Sequence, residues 1–157
     1  MATPLFDCSP HFLAPSGKLG FWLTDPPGLA VQMLEPMSVT SADLDVLINK
    51  VWPALRAKWP GDSKFAFLYD LSVAENIETE GGFSSRSTNW ALELRGKVSA
   101  LAINLSARPS PMLKMATNVA AYVLKAGGLP TKVSFGAPSR EWVAGFNLQL
   151  AKAVASL

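Results

Sequence analysis

The carboxylates that follow residue 69 are the side chains in this sequence best suited to acid–base chemistry. Asp70 ends an apolar run, and Glu75, Glu78 and Glu80 follow it in a polar segment. A hydrolytic acid–base pair needs a defined separation and burial, and acids in a polar loop are usually solvated. The single histidine, His11, lies far away in a proline-rich segment. We therefore expect no catalytic residues and no enzyme activity.

Metal and cofactor sites are not predicted either. Cys8 and His11 are the single cysteine and the single histidine, and the scattered acids have no ligand spacing around them. The glycine pairs at 81–82 and 127–128 match neither a dinucleotide-binding motif nor a P-loop. We expect no metal and no cofactor.

Hydroxyl side chains close the polar segment that contains the acids. The segment Ser72–Phe83 follows a predicted central strand, and Ser84 and Ser85 stand at the start of the next helical pattern. Partners and ligands bind at this edge of open α/β sheets. The acids upstream would repel an anion, so we predict a protein partner at about residues 72–90. Helix capping and contact with solvent are the alternative role of the hydroxyls.

A second junction between a strand and a helix contains the sequence LSARPSPM. There Ser106, Arg108 and Ser110 are candidates for binding a phosphate or a carboxylate at the helix start, with Arg108 as a bidentate donor. In the alternative, Ser110 caps the helix and Arg108 is solvated. The sequence leaves both open.

The composition favours one folded domain. The chain has 157 residues, of which 49% are hydrophobic and 17% charged, with a net charge of +2. Such a weak, dispersed charge predicts neither nucleic-acid binding nor attraction to anionic lipid. A single cysteine fits a reducing compartment, and no apolar run reaches the ~20 residues of a membrane helix. We expect a cytoplasmic protein without membrane insertion.

The first half of the chain predicts an arm, a hairpin, a helix and a strand. Residues 1–17 form a proline-rich arm that either packs on the body through Phe6 and Phe12 or is loose. Two apolar stretches between Leu19 and Leu34 flank a turn cluster and predict an antiparallel hairpin. A helix capped by Thr40 or Ser41 follows, and Pro53 should kink or loosen it. Lys64–Leu71 reads as a buried strand.

The second half predicts three more helices and two strands. A helix capped by Ser84 or Ser85 runs through Arg95, and a buried strand covers Val98–Ser106. A helix over about Ser110–Ala126 precedes the short strand TKVSF, and a helix capped by Ser139 closes the chain. The predicted inward residues are Met112, Met115, Ala116, Val119, Ala120 and Val123 in the third helix, and Trp142, Val143, Phe146, Leu150 and Val154 in the last.

The predicted element order is β-β-α-β-α-β-α-β-α. This order favours an α/β fold: a single mixed, mainly parallel sheet with an N-terminal antiparallel hairpin and about four helices. Residues 18–157 form the one domain after the arm. In this fold, Lys64–Leu71 and Val98–Leu105 are parallel neighbours at the centre of the sheet.

Four sequence stretches carry a family resemblance over roughly residues 19–155. They are TSADLDVL after the hairpin, YDLS at the end of the central strand, ALAINLSARPSPMLKMA, and KVSFGAPSREWVAGF. With these, the chain resembles the STAS fold, specifically the anti-sigma-factor antagonist-like proteins of bacteria and their STAS/CRAL-TRIO-type relatives.

The resemblance implies a regulatory protein that binds a partner. Antagonists of that family carry an Asp-Ser-Ser-Gly motif, one of whose serines is phosphorylated by a partner kinase. Counted from Asp70, the motif falls on residues 78–81, where Glu80 replaces the phosphorylated serine. Glutamate carries about one negative charge, against about −1.5 to −2 for phosphoserine, so Glu80 would imitate a permanently modified state. Together with Ser84 and Ser85 at the helix start, the predicted partner-binding residues are Glu78, Thr79 and Glu80.

Three functions are therefore open. The first is a non-catalytic regulatory or scaffold domain that binds a protein partner at about residues 72–90. The alternative is a small-ligand or lipid carrier with an apolar cavity, as implied by the CRAL-TRIO-type relatives. A homodimer formed through an exposed edge of the hairpin is the third.

Overall fold

One mixed β-sheet organises the parts of the chain that the computed structural model describes, which are residues 4–25, 27–36, 40–74, 83–146 and 149–150. The strands run side by side in the order β1-β2-β3-β4-β5-β6, and β7 also pairs with β2. Pairing is antiparallel from β1 to β3 and parallel from β3 to β6. The predicted α/β fold is confirmed. The strands are β1 (Phe12–Leu13), β2 (Leu19–Asp25), β3 (Gly28–Met33), β4 (Phe65–Leu71), β5 (Val98–Leu105), β6 (Thr131–Phe135) and β7 (Gln149–Leu150).

Four helical segments accompany the sheet in the described residues. The first is continuous and consists of α1 (Ser41–Val46), a π-helical turn (Leu47–Val51) and α2 (Trp52–Lys58). The others are α3 (Phe83–Glu93), α4 (Pro111–Ala126) and α5 (Ser139–Ala144). The central parallel pair is confirmed, with Tyr69 of β4 opposite Ile103 of β5.

The first helical segment shows how local sequence shapes an element. Thr40 is its N-cap, and the Asp43 carboxylate accepts hydrogen bonds from the Thr40 N–H at 2.9 Å and the Thr40 hydroxyl at 3.2 Å. Pro53 has no N–H to donate, and the π turn lies directly before it, with the Trp52 N–H bonded to the Leu47 carbonyl. The predicted irregularity at Pro53 is therefore confirmed.

The two faces of the sheet bury different layers. Side chains alternate along β4, so Phe65, Phe67 and Tyr69 pack in the cluster that includes α1, α2 and α3. Leu68 packs on the opposite face, with the N-terminal arm and α5. Because β4 is covered on both faces, its sequence is a nearly continuous apolar run.

The described part of the N-terminal arm, from residue 4 onward, packs on the sheet. Leu5 is buried, and the Phe6 ring lies 5.8 Å from the Trp22 ring. The Trp22 Nε1–H donates to the Cys8 carbonyl at 3.2 Å. Strand β1 then pairs with β2, and β7 pairs with β2 further along. The prediction that the hairpin has an exposed edge for a homodimer is therefore wrong, because β2 is paired on both sides.

The last helix is shorter than predicted. It ends at Ala144, and residues 149–150, which were expected to extend it, form β7 opposite Thr24 and Asp25. Gly145 stands at the helix end, and the edge of β2 offers backbone partners that a longer helix would leave unpaired. The prediction that Leu150 lies inward on this helix is wrong. Trp142, Val143 and Phe146 do pack inward, and Val154 lies outside the described residues.

Helix α4 presents a different face to the core than predicted. Its buried residues are Leu113, Thr117, Ala121 and Leu124. Met112, Met115, Val119 and Val123 of the predicted stripe are exposed, and Ala116 and Ala120 are half-buried. The helix is apolar around most of its circumference, so periodicity alone offered two competing faces. The buried face includes both leucines of the helix.

Candidate functional site

The predicted partner site lies largely outside the described residues. Glu78, Thr79 and Glu80 are in the undescribed segment 75–82. Helix α3 begins at Phe83, so Ser84 and Ser85 lie in its first turn, and the prediction that one of them caps the helix is wrong. Ser85 is exposed. Partner binding by this segment stays a prediction.

All three residues of the candidate anion site lie in the described part of the chain. The Ser110 hydroxyl accepts a hydrogen bond from the Leu113 N–H at 3.2 Å and so caps α4. Ser106 is half-buried, and Arg108 is exposed and forms no ion pair with another described residue. The capping role accounts for Ser110. Anion binding by Ser106, Arg108 and Ser110 stays a prediction.

Asp70 is buried and engaged in a polar network. Its Oδ1 accepts from the Asn104 Nδ2 at 3.3 Å and from the Ser72 N–H at 3.2 Å, and its Oδ2 accepts from the Gln32 Nε2 at 3.3 Å. Gln32, Asp70 and Asn104 lie in one row across β3, β4 and β5. The carboxylate thus joins three strands, and its oxygens are already occupied by donors.

A cavity of about 150 Å³ lies between the sheet and the helices α1, α3 and α4. Its floor is one row of the sheet, in which Val31, Tyr69 and Ile103 are paired neighbours. Apolar side chains supply most of the wall. The further apolar lining residues are Leu19, Phe21, Leu44, Leu47, Leu71, Trp90, Ala91, Leu101, Ala116, Ala120 and Leu124.

Small side chains border this cavity where α3 meets α4. Ser87 and Thr88 come from α3, Ala116 and Ala120 come from α4, and all four keep part of their surface exposed. Alanines at positions i and i+4 lie on one side of a helix. Their short side chains line the cavity, which is partly open to solvent.

Besides Ser87 and Thr88, three polar residues line the cavity. Asp43 and Thr117 are buried, and Tyr69 lies at the floor. The Tyr69 ring packs edge to face on Phe67 with centroids 6.3 Å apart, and its hydroxyl makes no hydrogen bond to another described residue. Burial raises the pKa of the Tyr69 phenol above its ordinary value, so the group stays protonated at neutral pH.

The outer side of α4 carries an exposed apolar surface, which we call the α4 ridge. Met115 is 64% exposed and Tyr122 76% exposed. Phe135 of β6 lies beside the ridge, with the Lys114 ammonium 5.8 Å from its ring centroid. The α4 ridge consists of Met112, Met115, Val119, Tyr122 and Val123.

The described ranges contain neither a cluster of metal ligands nor a membrane-spanning helix. No three His, Cys, Asp or Glu side chains there come together as a metal site. In the same ranges, no helix has both the length and the apolar character required to span a bilayer.

No protein-family model, no curated protein and no solved structure matches this chain. The resemblance to the STAS family therefore rests on the four sequence stretches and stays a prediction. An apolar cavity was the alternative among the predicted functions, and Ala116 and Ala120 of the predicted inward stripe do line the cavity, whereas Met112, Met115, Val119 and Val123 do not.

Proposed function

We propose that this protein binds a small apolar molecule in the cavity between the sheet and helices α1, α3 and α4. The observation that carries the proposal is the cavity itself, which has a volume of about 150 Å³ and a wall made almost entirely of apolar side chains. Apolar cavities of about this size stay dry and bind molecules such as benzene.

The energetic cost of an empty cavity supports this proposal. Residual cavity volume destabilises a fold by about 24 cal/mol per Å³. The cavity of about 150 Å³ is partly open to solvent, so it does not carry the full cost of a closed cavity of that volume. A bound apolar molecule would still gain free energy by removing the apolar wall from water.

The size of the cavity limits the ligand. A single ring or a short aliphatic chain matches this volume, whereas a longer tail would have to extend out of the cavity. Polar groups are few in the wall, so a multiply charged metabolite would lose its hydration without compensation. Cys8 is free and exposed, in keeping with a reducing compartment, and we place this binding activity in the cytoplasm.

Thermal unfolding with and without toluene tests the proposal. A ligand at a hundred times its dissociation constant stabilises the native state by about 2.7 kcal/mol, which corresponds to about 5–10 °C in a chain of this length. We expect such a rise with toluene. Ala120→Leu fills the space between the helices and should abolish the rise.

The matched control is Val119→Leu, which enlarges the neighbouring residue on the exposed side of α4. This variant should respond to toluene as the native protein does. A native protein whose unfolding temperature does not change with toluene would contradict the proposal, as would an equal response in the Ala120→Leu variant.

A further inference from the structure

We infer that the Tyr69 hydroxyl selects the ligand, which is a small neutral molecule with one hydrogen-bonding oxygen on an apolar body, such as a phenol, an alcohol or a ketone. This inference rests on the proposed function and specifies its ligand class. It goes beyond the filling of the cavity by an apolar molecule, because a pure hydrocarbon would form no hydrogen bond with the polar atoms of the cavity.

The position of Tyr69 is fixed by the fold. The residue lies on β4, a central strand, between Val31 of β3 and Ile103 of β5, and all three line the cavity. The edge-to-face contact with Phe67 orients the ring further. A side chain held on a rigid strand presents its hydroxyl at one defined point, as a ligand anchor requires.

The hydroxyl has no partner within the described part of the chain. Tyr69 is half-buried and lines the cavity, and its hydroxyl keeps some accessible surface, so a ligand oxygen can reach it. No hydrogen bond is formed by this hydroxyl with the described residues. An oxygen on the ligand would supply a hydrogen-bond partner for this hydroxyl.

The charge of the cavity excludes an anionic ligand. Burial raises the pKa of the Tyr69 phenol, so this group remains a neutral donor. The buried Asp43 carboxylate lines the same cavity, and one of its oxygens already accepts from Thr40. A carboxylate on the ligand would face this like charge in apolar surroundings, so the ligand's polar group is neutral.

Binding of toluene, p-cresol and p-toluate to the native protein and to Tyr69→Phe tests this inference. The three probes share a ring and a methyl group. Toluene has no polar group, p-cresol adds a hydroxyl, and p-toluate adds a carboxylate. We expect the native protein to bind p-cresol about three- to tenfold more tightly than toluene and to bind p-toluate most weakly. Tyr69→Phe should lower the affinity for p-cresol about five- to tenfold and leave that for toluene unchanged.

The matched control is Tyr122→Phe, which removes the other tyrosine hydroxyl of the chain, on the exposed side of α4. It should bind all three probes as the native protein does. Because Tyr69 is then the single tyrosine, its ring-carbon NMR signals are assigned directly. They should shift with p-cresol, and this measurement does not require the Tyr69→Phe variant to fold.

The outcomes separate this inference from the proposed function. If neither toluene nor p-cresol binds, both are overturned. If toluene binds but p-cresol is not preferred, or if Tyr69→Phe weakens both probes equally, the ligand class is wrong and the apolar site stands. Tight binding of p-toluate would also overturn the assignment of a neutral ligand.

Discussion

The imidazole of His11 continues the sheet beyond the end of β1, because its Nδ1 accepts a hydrogen bond from the Leu23 N–H at 2.9 Å. The backbone N–H of His11 donates to the Phe21 carbonyl, also at 2.9 Å. One residue thus provides two successive contacts along the edge of β2, the second through its side chain. An accepting Nδ1 must be unprotonated, so this edge is sensitive to acid.

We predict that the free energy of unfolding falls as the pH drops below about 6.5. Burial lowers the pKa of His11 from its ordinary value of 6.5, so the unfolded chain binds more protons than the native chain in this range. The stabilising contribution is complete above pH 6.5 and is lost as the pH falls through the native pKa. Urea unfolding at pH 7.5 and at steps down to pH 5 measures the slope.

His11→Asn is the control for this pH dependence. Its side-chain oxygen can accept from the Leu23 N–H but does not titrate in this range. The variant should therefore lose less stability than the native protein between pH 7 and 5. Identical slopes for the two proteins would show that other groups cause the acid sensitivity.

We predict that Asp70→Asn destabilises the protein by about 2–3 kcal/mol. If the new oxygen faces Asn104 and Ser72, the new amide N–H₂ meets the Gln32 Nε2, which is also a donor. Gln32 cannot turn over without losing the bond that its Oε1 accepts from the Leu5 N–H at 3.1 Å. Denaturant unfolding measures the loss.

Asp45→Asn is the matched control for Asp70→Asn. Asp45 pairs with Arg86 at the surface, where both side chains are about half exposed. Exposed ion pairs contribute little, so the loss should stay below about 1 kcal/mol. A similar cost for the two variants would mean that the network around Asp70 is not what stabilises the three strands.

The order and direction of the strands were predictable because their signals are local. The continuous apolar runs of β4 and β5 fit only strands covered on both faces, and a helical pattern separates them. Right-handed crossovers then make them parallel neighbours. The cap at Thr40 and the irregularity before Pro53 likewise depend on nearby residues.

The wrong predictions concern features that depend on contacts between distant parts of the chain. Val119 and Leu113 are both apolar residues of α4, and only the shape of the sheet beneath decides that Leu113 is buried. The pairing of residues 149–150 with β2 joins segments more than a hundred residues apart, which periodicity does not register. The cavity depends on unfilled volume between elements, and no single residue pattern encodes such a volume.

Substitutions on opposite sides of α4 test the orientation of this helix. Leu113 is 1% exposed, so Leu113→Ala should cost about 2–5 kcal/mol in the free energy of unfolding. Met115 is 64% exposed, so Met115→Ala should stay within about 0.5 kcal/mol of the native protein. The reverse result would restore the face predicted from the sequence.

Ala120→Leu should also raise the stability of the ligand-free protein, by about 0.5–2 kcal/mol, because cavity-filling substitutions commonly stabilise by this amount. The added carbons enter space that borders Leu124 of α4 and Ala91 of α3, and they replace solvent or void with apolar contacts. The same variant is expected to lose its response to toluene, so native stability and binding should change in opposite directions.

Urea unfolding without ligand measures the change in stability of Ala120→Leu, with Val119→Leu as the exposed control. A destabilised Ala120→Leu variant would indicate that the space between α3 and α4 is too narrow for a leucine, and hence for a ring of the size of toluene.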